Sequence, residues 1–530
     1  MYLKERSSRE LRRTLSLRDL ALDDPFVGDL VSFLSEGVEP VFLVGGYLRD
    51  YLLGKVSEDV DLVTTGDPSI PASRAAVRFG ARHFLLDREE RIYRLVVRDG
   101  GRRRTVDISP LRGFGMETDL SMRDFTINAM AVDLGKLVGQ GSLVLPRDLI
   151  DKHYGWKDLS AGILRECHKE SFLADPVRLV RALRFRHLLG LEFEERTLNH
   201  LKKYAPLVSR VAGERLAVEL LETLSGGGCR EVFRDVEAFG LLEHLFPELA
   251  ETVGLEQNAY HHLDVWEHTL MTLEELDKLL EDPGRMYPEH AGMTALRMGE
   301  PLQDCYPRRA FLRLAALYHD AGKPLTFSRG EDGRIHFHSH QRFSREAVLE
   351  LAGRLRFSRR AREYLASVIG HHMDIGLALK QGLTPRARRR LVNRLGENLV
   401  DVVLLSTADR FATRGPLTTP EGLERYVRVC RELLDEQVRE EETPPLLRGR
   451  DLILELGMKE GPAVGEVLRR VREAQMGGRI RRRDEALKLA EKLIEARLPE
   501  AAAGSSAEDE GAREPVGGNE ETERGGGGED

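Results

Sequence analysis

Asp59 and Asp61 stand two residues apart in VSEDVDLVTTGD. That run reads as a β-strand, so both carboxylates fall on one face, close together. Two like charges so placed repel and call for a cation, and hard oxygen ligands suit Mg²⁺. Alone, the pair fits a solvated edge strand as well as a metal site. Just upstream, however, VFLVGGYLRDYLLG reads as a buried strand, a tight Gly45-Gly46 turn and a helix opening near Tyr47. Backbone N–H groups at such a turn can hold phosphate oxygens, and Arg49, one turn into the helix, can add a bidentate contact to a triphosphate. The combination fits two-metal chemistry, in which a 3′-hydroxyl is aligned with an α-phosphate and pyrophosphate leaves without any amino-acid nucleophile.

Further along, Asp175, Arg178, Arg181 and Arg184 recur every three residues in DPVRLVRALRFR, each about 60° further round a helix. A solvated helix face, with Asp175 near its N-terminus helping the dipole, would look the same. An Asp acceptor beside an Arg donor also matches the edge shared by cytosine and adenine, an exocyclic amine next to a ring nitrogen. Guanine and uracil present a carbonyl there.

The elements that must position these residues follow from the patterning. From about Pro40 to Asp133 short apolar runs alternate with turn residues, which predicts strands with helices between them. Beyond about Ser171 apolar residues recur at three and four almost without interruption, which predicts a long helical array. The chain has 530 residues, 41% hydrophobic and 32% charged, too long for one core and ordinary for a multidomain enzyme. No stretch is long and apolar enough for a membrane span, and the charged N-terminus carries no secretory h-region, so a cytoplasmic protein with no membrane partner is expected. Cys167, Cys229, Cys305 and Cys430 lack paired spacing and are read as reduced. The net charge of −8 is concentrated in the tail, since Pro499 to Asp530 holds ten acidic and two basic side chains. Basic surfaces elsewhere can therefore dominate the field, and the tail itself should be disordered.

Four motifs add a resemblance. GGYLRDYLLG followed by DVD resembles the head signature of the nucleotidyltransferases that include class II CCA-adding tRNA nucleotidyltransferases and bacterial poly(A) polymerases. SMRDFTINAMAVDL is similar to that family's second motif, DPVRLVRALRFR to its nucleotide-reading motif and GERLAVELLETL to the helix after it, in family order from Val41 to Leu224. The resemblance implies that Gly46 and Arg49 hold the triphosphate and that Asp59 and Asp61 bind Mg²⁺, with Asp107 in TVDIS as a weaker third carboxylate. It implies that Arg123 touches the nucleotide, that Asp175 and Arg178 read the base, and that Arg181 and Arg184 bind base or phosphates. The reading motif usually begins Glu-Asp, and Ala174 replaces that Glu, so base discrimination is expected to be looser or differently supported.

A second set of motifs, HHLDVWEHTL, ALYHDAGKP, HFHSHQRFS, IGHHMDIG and STADR, resembles the HD-domain pattern of metal-dependent phosphohydrolases. It implies a first ligand set of His268, His319, Asp320 and Asp409, with His319 and Asp320 adjacent on a helix. His340 and either His371 or His372 would serve a second metal. Imidazole with carboxylate suits Mn²⁺, Ni²⁺, Co²⁺ or Fe. The stretch from Leu446 to Leu487 resembles the C-terminal helical segment of HD-bearing relatives, and Arg481, Arg482 and Arg483 would meet RNA backbone or simply form a solvated basic face.

The expected fold is α+β, a small mixed-sheet nucleotidyltransferase head followed by a mostly α-helical neck and an HD-like helical body. The expected order is an N-terminal segment (1–39), head (40–165), nucleotide-reading neck (166–225), body (226–440), C-terminal helical segment (441–498) and acidic tail (499–530). The implied reaction is transfer of CMP and AMP from CTP and ATP to the 3′ end of tRNA. Its rivals are poly(A) addition, CC-only or A-only addition and, from another class, an HD phosphohydrolase whose head only binds RNA. The intact Asp59 and Asp61 pair argues against the last.

Overall fold

The computed structural model describes residues 9–99, 102–258, 260–416 and 418–496. The chain forms two compact units, residues 1–434 and 435–530.

In the first unit a six-stranded sheet is built from β1 (Val41–Val44), β2 (Asp59–Thr64), β3 (Arg82–Asp87), β4 (Ile92–Asp99), β5 (Arg102–Pro110) and β6 (Ala131–Asp133) in the spatial order β3-β4-β5-β2-β1-β6. Only β2 and β5 run parallel, so the sheet is mixed. Period-two alternation sorts the first half of β2: Val60 and Leu62 are buried with Leu43, Val106 and Ile108, which leaves Asp59 and Asp61 on the other face, where Val63 is buried in a smaller cluster. Helix α1 (Gly45–Leu52) begins two residues earlier than the sequence predicted. The reason is local: Gly45 takes φ +70°, a left-handed conformation that turns the chain straight out of β1. Helix α2 (Ser69–Phe79) covers the sheet with Ala72, Ala75 and Ala76. Part of the N-terminal segment joins this region, because Thr14–Ser16 pairs antiparallel with Ser142–Val144.

The helical part follows as expected, interrupted by three short strand pairs: Ile163–Leu164 with Glu192–Phe193, Pro301–Gln303 with Tyr306–Pro307, and Phe327–Arg329 with Ile335–Phe337. The helices used below are α3 (Val177–Leu189), α4 (Gly213–Ser225), α5 (Val265–Glu281), α6 (Arg308–Tyr318), α7 (His340–Arg354), α8 (Arg359–His371), α9 (Pro385–Leu395) and α10 (Leu399–Ala412). Helices α6 and α10 are buried along most of their length, and the buried Arg308 and Arg313 of α6 are paired with Asp401 and Asp277. One continuous apolar cluster runs through the unit from Leu11 to Leu434. At the start of α4 a Cβ on Gly213 would stand 1.8 Å from the Arg354 carbonyl oxygen at the end of α7, so only glycine permits that approach.

The second unit has its own core of Leu447, Leu452, Val467, Val471, Ala486 and Ala490. Its arginines are largely countered: Arg483 meets Asp451 at 3.1 Å and also Glu455, and Arg482 meets Asp484 at 2.8 Å. The expected tail at 499–530 lies outside the described residues.

Candidate functional site

The parallel pairing of β2 with β5 sets Asp61 directly opposite Asp107 and Asp59 opposite Thr105. Asp61 and Asp107 therefore share a face at the spacing of neighbouring strands, about 5 Å, with Asp59 one pleat away. Each carboxylate has its own donor. The Gly46 N–H donates to Asp61 Oδ2 at 3.2 Å, the Thr105 hydroxyl donates to Asp59, and Arg94 grips Asp107 with two bonds of 2.8 and 2.7 Å. Burial pushes the Asp61 carboxyl up; Arg123 and the Gly46 N–H oppose the rise, and Asp107 and Asp59 add to it. A cation is the group that would relieve this crowding, and a set of oxygens alone fits a hard one. Glycine is required at position 45 twice over, by its φ and because a Cβ there would lie 2.6 Å from Asp61 Oδ2 and 3.3 Å from Arg123 Nη1. At Gly46 a Cβ meets nothing closer than 3.7 Å.

Asp61 and Asp107 open into a cleft of about 270 Å³ between sheet and neck, lined also by Arg112, Asp119, Arg123, Asp124, Asp175, Arg178 and Arg181. Arg123 is steadied by Asp119 at 3.2 Å. Asp175 lies just before α3, not on it, because Pro176 caps that helix. It pairs with Arg215 at 2.7 Å, and Arg178 Nε lies 3.9 Å from it. Arg178 also donates to Ser171 at 2.8 Å and to the Met122 carbonyl at 2.9 Å, which fixes its plane in the cleft wall.

Two predicted contacts sit elsewhere. Arg49 is buried, donating to Asn128 Oδ1 at 2.8 Å and to Asp50 while its guanidinium covers the Phe185 ring at 4.9 Å, so it ties α1 to α3. Arg184 joins Arg181 on buried Glu219 of α4, at 2.9 and 2.7 Å, and does not line the cleft. Arg181 alone of that pair also reaches Asp124, at 3.2 Å. Burial opposes ionisation of Asp124, yet Arg181, Asn128 and the Phe125 N–H outweigh it and hold the carboxyl below its ordinary value.

In the body, His319 and Asp320 occupy the turn after α6 and not the helix itself, because α6 ends at Tyr318. The residues gather into two groups, His268 with His319 and Asp409, and Asp320 with His340 and His372. In each the ligand atoms lie within 4.8 Å of one another. The side-chain geometry points them inward. Nδ1 of His319, His340 and His372 lies 2.7, 3.0 and 2.7 Å from the carbonyl oxygens of Ala316, Phe337 and Ile369. With Nδ1 turned to a carbonyl, each buried Nε2 is aimed into the cluster, those of His319 and His340 each 3.2 Å from an Asp320 oxygen, the orientation that metal-binding imidazoles require. Burial, with His319 and His340, pushes His372 down to about 4, so its ring is neutral at physiological pH. Asp320 is held well below its ordinary value by His319 and Lys323 despite its burial. His371 takes no part: its Nδ1 faces Asp374 at 2.8 Å. Helix geometry explains the choice, since neighbouring residues point about 100° apart and only His372 faces the cluster. A cavity of about 560 Å³ opens beside these groups.

Sequence reasoning did not single out Arg94, Asp119, Asp124, Glu219 or Lys323. Asp124 and Lys323 lay within quoted motifs; the partners of Arg94 and Glu219 depend on register and helix packing, which one sequence does not print.

Comparison with known proteins assigns this geometry to a family. Residues 41–165 match the poly A polymerase head domain, residues 190–252 the probable RNA and SrmB-binding site of polymerase A, and residues 265–414 the HD domain. The CC-adding tRNA nucleotidyltransferase of Thermus thermophilus is 34% identical over 84% of this chain and 92% of its own. The A-adding tRNA nucleotidyltransferase of Deinococcus radiodurans is 33% identical over 83% and 92%. A CCA-adding enzyme solved in an apo form shares the fold, with a TM-score of 0.56 at 22% identity over 92% of this chain and 98% of its own. So does a Thermotoga maritima CCA-adding enzyme complexed with tRNA, with a TM-score of 0.54 at 22% identity over 92% and 99%. Identity of this level along nearly the full length of two such enzymes means that the chain belongs to the family of tRNA nucleotidyltransferases that share their head domain with poly(A) polymerases.

Proposed function

We propose that this enzyme transfers CMP and AMP from CTP and ATP to the 3′ end of tRNA, building or repairing its CCA terminus and releasing pyrophosphate. The observation that carries the reading is the in-register pair Asp61 and Asp107, beside Asp59, opening into the cleft that holds Asp175 and Arg178. It is supported by relatives whose names give CC-adding and A-adding activities and by solved relatives described with tRNA, CTP and ATP.

In this reading residues 40–165 are the head, 166–225 the neck, 226–440 the HD-like body and 441–498 a C-terminal helical segment. Asp59 and Asp61, with Asp107, would hold Mg²⁺, which when bound would align the 3′-hydroxyl with the α-phosphate and take up charge on the departing pyrophosphate. Arg123, fixed by Asp119, faces the incoming nucleotide, and the Gly45-Gly46 turn lies where phosphate oxygens arrive. Asp175 accepts from the exocyclic amine of C or A while Arg178 donates to the neighbouring ring nitrogen. Arg215 pairs with Asp175 and fixes its carboxylate, a support that needs no Glu at position 174. Arg49, Arg181 and Arg184 act as positioning residues that lock head and neck together. No described helix is long and apolar enough to cross a membrane, and we assign the work to the cytoplasm.

A tRNA transcript lacking its CCA end is the test. With CTP and ATP together it should gain three nucleotides and then stop, and GTP and UTP should be refused. A stop after two, or action only on transcripts already ending in CC, would assign a partial adder. Unlimited extension of an unrelated oligonucleotide on ATP would overturn the CCA reading.

A second activity rests on the inward-facing Nε2 atoms of His319, His340 and His372. A transition metal such as Mn²⁺, Ni²⁺ or Co²⁺ bound there would activate water for attack on a phosphoester. His319→Ala should abolish hydrolysis of a cyclic phosphodiester in Ni²⁺ or Mn²⁺ and leave Mg²⁺-dependent addition unchanged. A wild-type protein that hydrolyses no phosphoester with any of these metals would make the site structural.

A further inference from the structure

Helix α9 has the sequence PRARRRLVNRL, five arginines in eleven residues and no acid. Its inward side is ordinary, with Leu391, Val392 and Leu395 buried against the body. Outward, Arg386, Arg389, Arg390 and Asn393 fall at helix positions i, i+3, i+4 and i+7, one face about 10 Å long. The acids that meet this helix are taken by other arginines: Asp374 pairs with Arg394 at 3.0 Å, and Glu432 pairs with Arg388. Arg386, Arg389 and Arg390 have no ion-pair or hydrogen-bond partner among the described residues.

This charge pattern works against the helix itself. Arg386 sits in the first turn, at the positive end of the helix dipole. The spacings 386–389 and 386–390 set like charges on neighbouring turns, each mildly destabilising. Among the described residues no acid compensates Arg386, Arg389 or Arg390. A ligand bearing regularly spaced negative charge would, and the substrate class of this enzyme is such a ligand.

We propose that the outward face of α9 is an RNA-backbone contact, in which Arg386, Arg389 and Arg390 grip consecutive phosphates of the tRNA away from its reacting 3′ end. The proposal rests on the tRNA reading above and extends it to a surface on the body. The contact is sequence-blind: planar guanidiniums meet phosphate oxygens, and no base edge is read. Its thermodynamic mark is counterion release, so each phosphate engaged adds about 0.7 to 0.9 to the slope of log affinity against log salt.

The test uses the full-length enzyme with Arg386, Arg389 and Arg390 all changed to Gln, and a companion with all three changed to Lys. Affinity for a CCA-less tRNA transcript is measured across a salt series, together with nucleotide addition at saturating tRNA. The Gln variant should bind about 10- to 100-fold more weakly at low salt and lose about two to three from its salt slope, while turnover at saturation stays at the wild-type rate. The Lys variant should keep most of the slope, because charge and not fork geometry carries most of this term. Both should melt no lower than wild type, since like charges are relieved or retained. A Gln variant with wild-type affinity and slope overturns the proposal and leaves the face to an acidic protein partner. Failure of the wild type to extend tRNA would instead overturn the activity reading, so the two outcomes are distinguishable.

Discussion

Asp61 takes the N–H of Gly46 and faces Asp107 across a strand pair, in a place where burial works against its charge. Asp61→Asn keeps an acceptor for Gly46 and removes the charge. Nucleotide addition should fall at least about a thousandfold, the scale of losing an electrostatic anchor of the transition state, with the melting temperature unchanged or higher. Extension gels and a thermal melt read both, and a mutant extending tRNA at the wild-type rate would remove Asp61 from the chemistry. The two glycines should differ sharply. Gly45→Ala forces a Cβ into Asp61 from a left-handed backbone and should cost about 1 to 2 kcal/mol along with activity, whereas Gly46→Ala should do neither to a comparable degree. Asp59 and Asp61 were legible in the sequence because period two on a strand needs no partner to be read. Which glycine was indispensable, and which of His371 and His372 turns inward, depends on neighbours that no local pattern encodes.

Helices α3 and α4 carry a different kind of legibility. The arginine stripe at 178, 181 and 184 was visible as spacing, yet the helix starts after Asp175, and the stripe divides its labour: Arg178 lines the cleft, Arg184 serves Glu219 and Arg181 does both. A single sequence cannot show that division, because Glu219 reaches the stripe only through the packing of α4 on α3. Glu219 is 2% exposed and holds two guanidiniums. Glu219→Ala should destabilise the protein by about 2 to 3 kcal/mol, below the range for fully buried pairs because Arg181 is partly hydrated. Denaturant titration measures it, and a loss under about 0.5 kcal/mol would show that the brace contributes little. Arg178→Ala should instead relax base choice by about 1 to 3 kcal/mol, seen as GTP or UTP incorporation, with stability little affected.

At the scale of the molecule, hydrophobic period alone separated a strand-rich region up to about Asp133 from helices beyond about Ser171; the division into head, neck, body and a C-terminal segment came from the resemblance, and that this last segment closes a core of its own could not be read, since helices within one core and across two carry the same periodicity. Leu447, Leu452, Val467 and Ala486 close on each other. Deleting residues 443–530 should therefore leave the melting transition of the remainder within a few degrees of its place in the full chain, and leave turnover on saturating tRNA intact. A large downward shift on calorimetry would show the second core to be needed by the first. Gly213 points the other way. With 1.8 Å between a notional Cβ and the Arg354 carbonyl, helix α4 of the neck and helix α7 of the body meet at a contact that only glycine permits. For gene recombination this means that a crossover at the neck–body motif boundary near residue 225 would join mismatched surfaces and yield insoluble chimaeras. The junction at which lineages can exchange parts and keep a working enzyme lies near residue 443, between two complete cores.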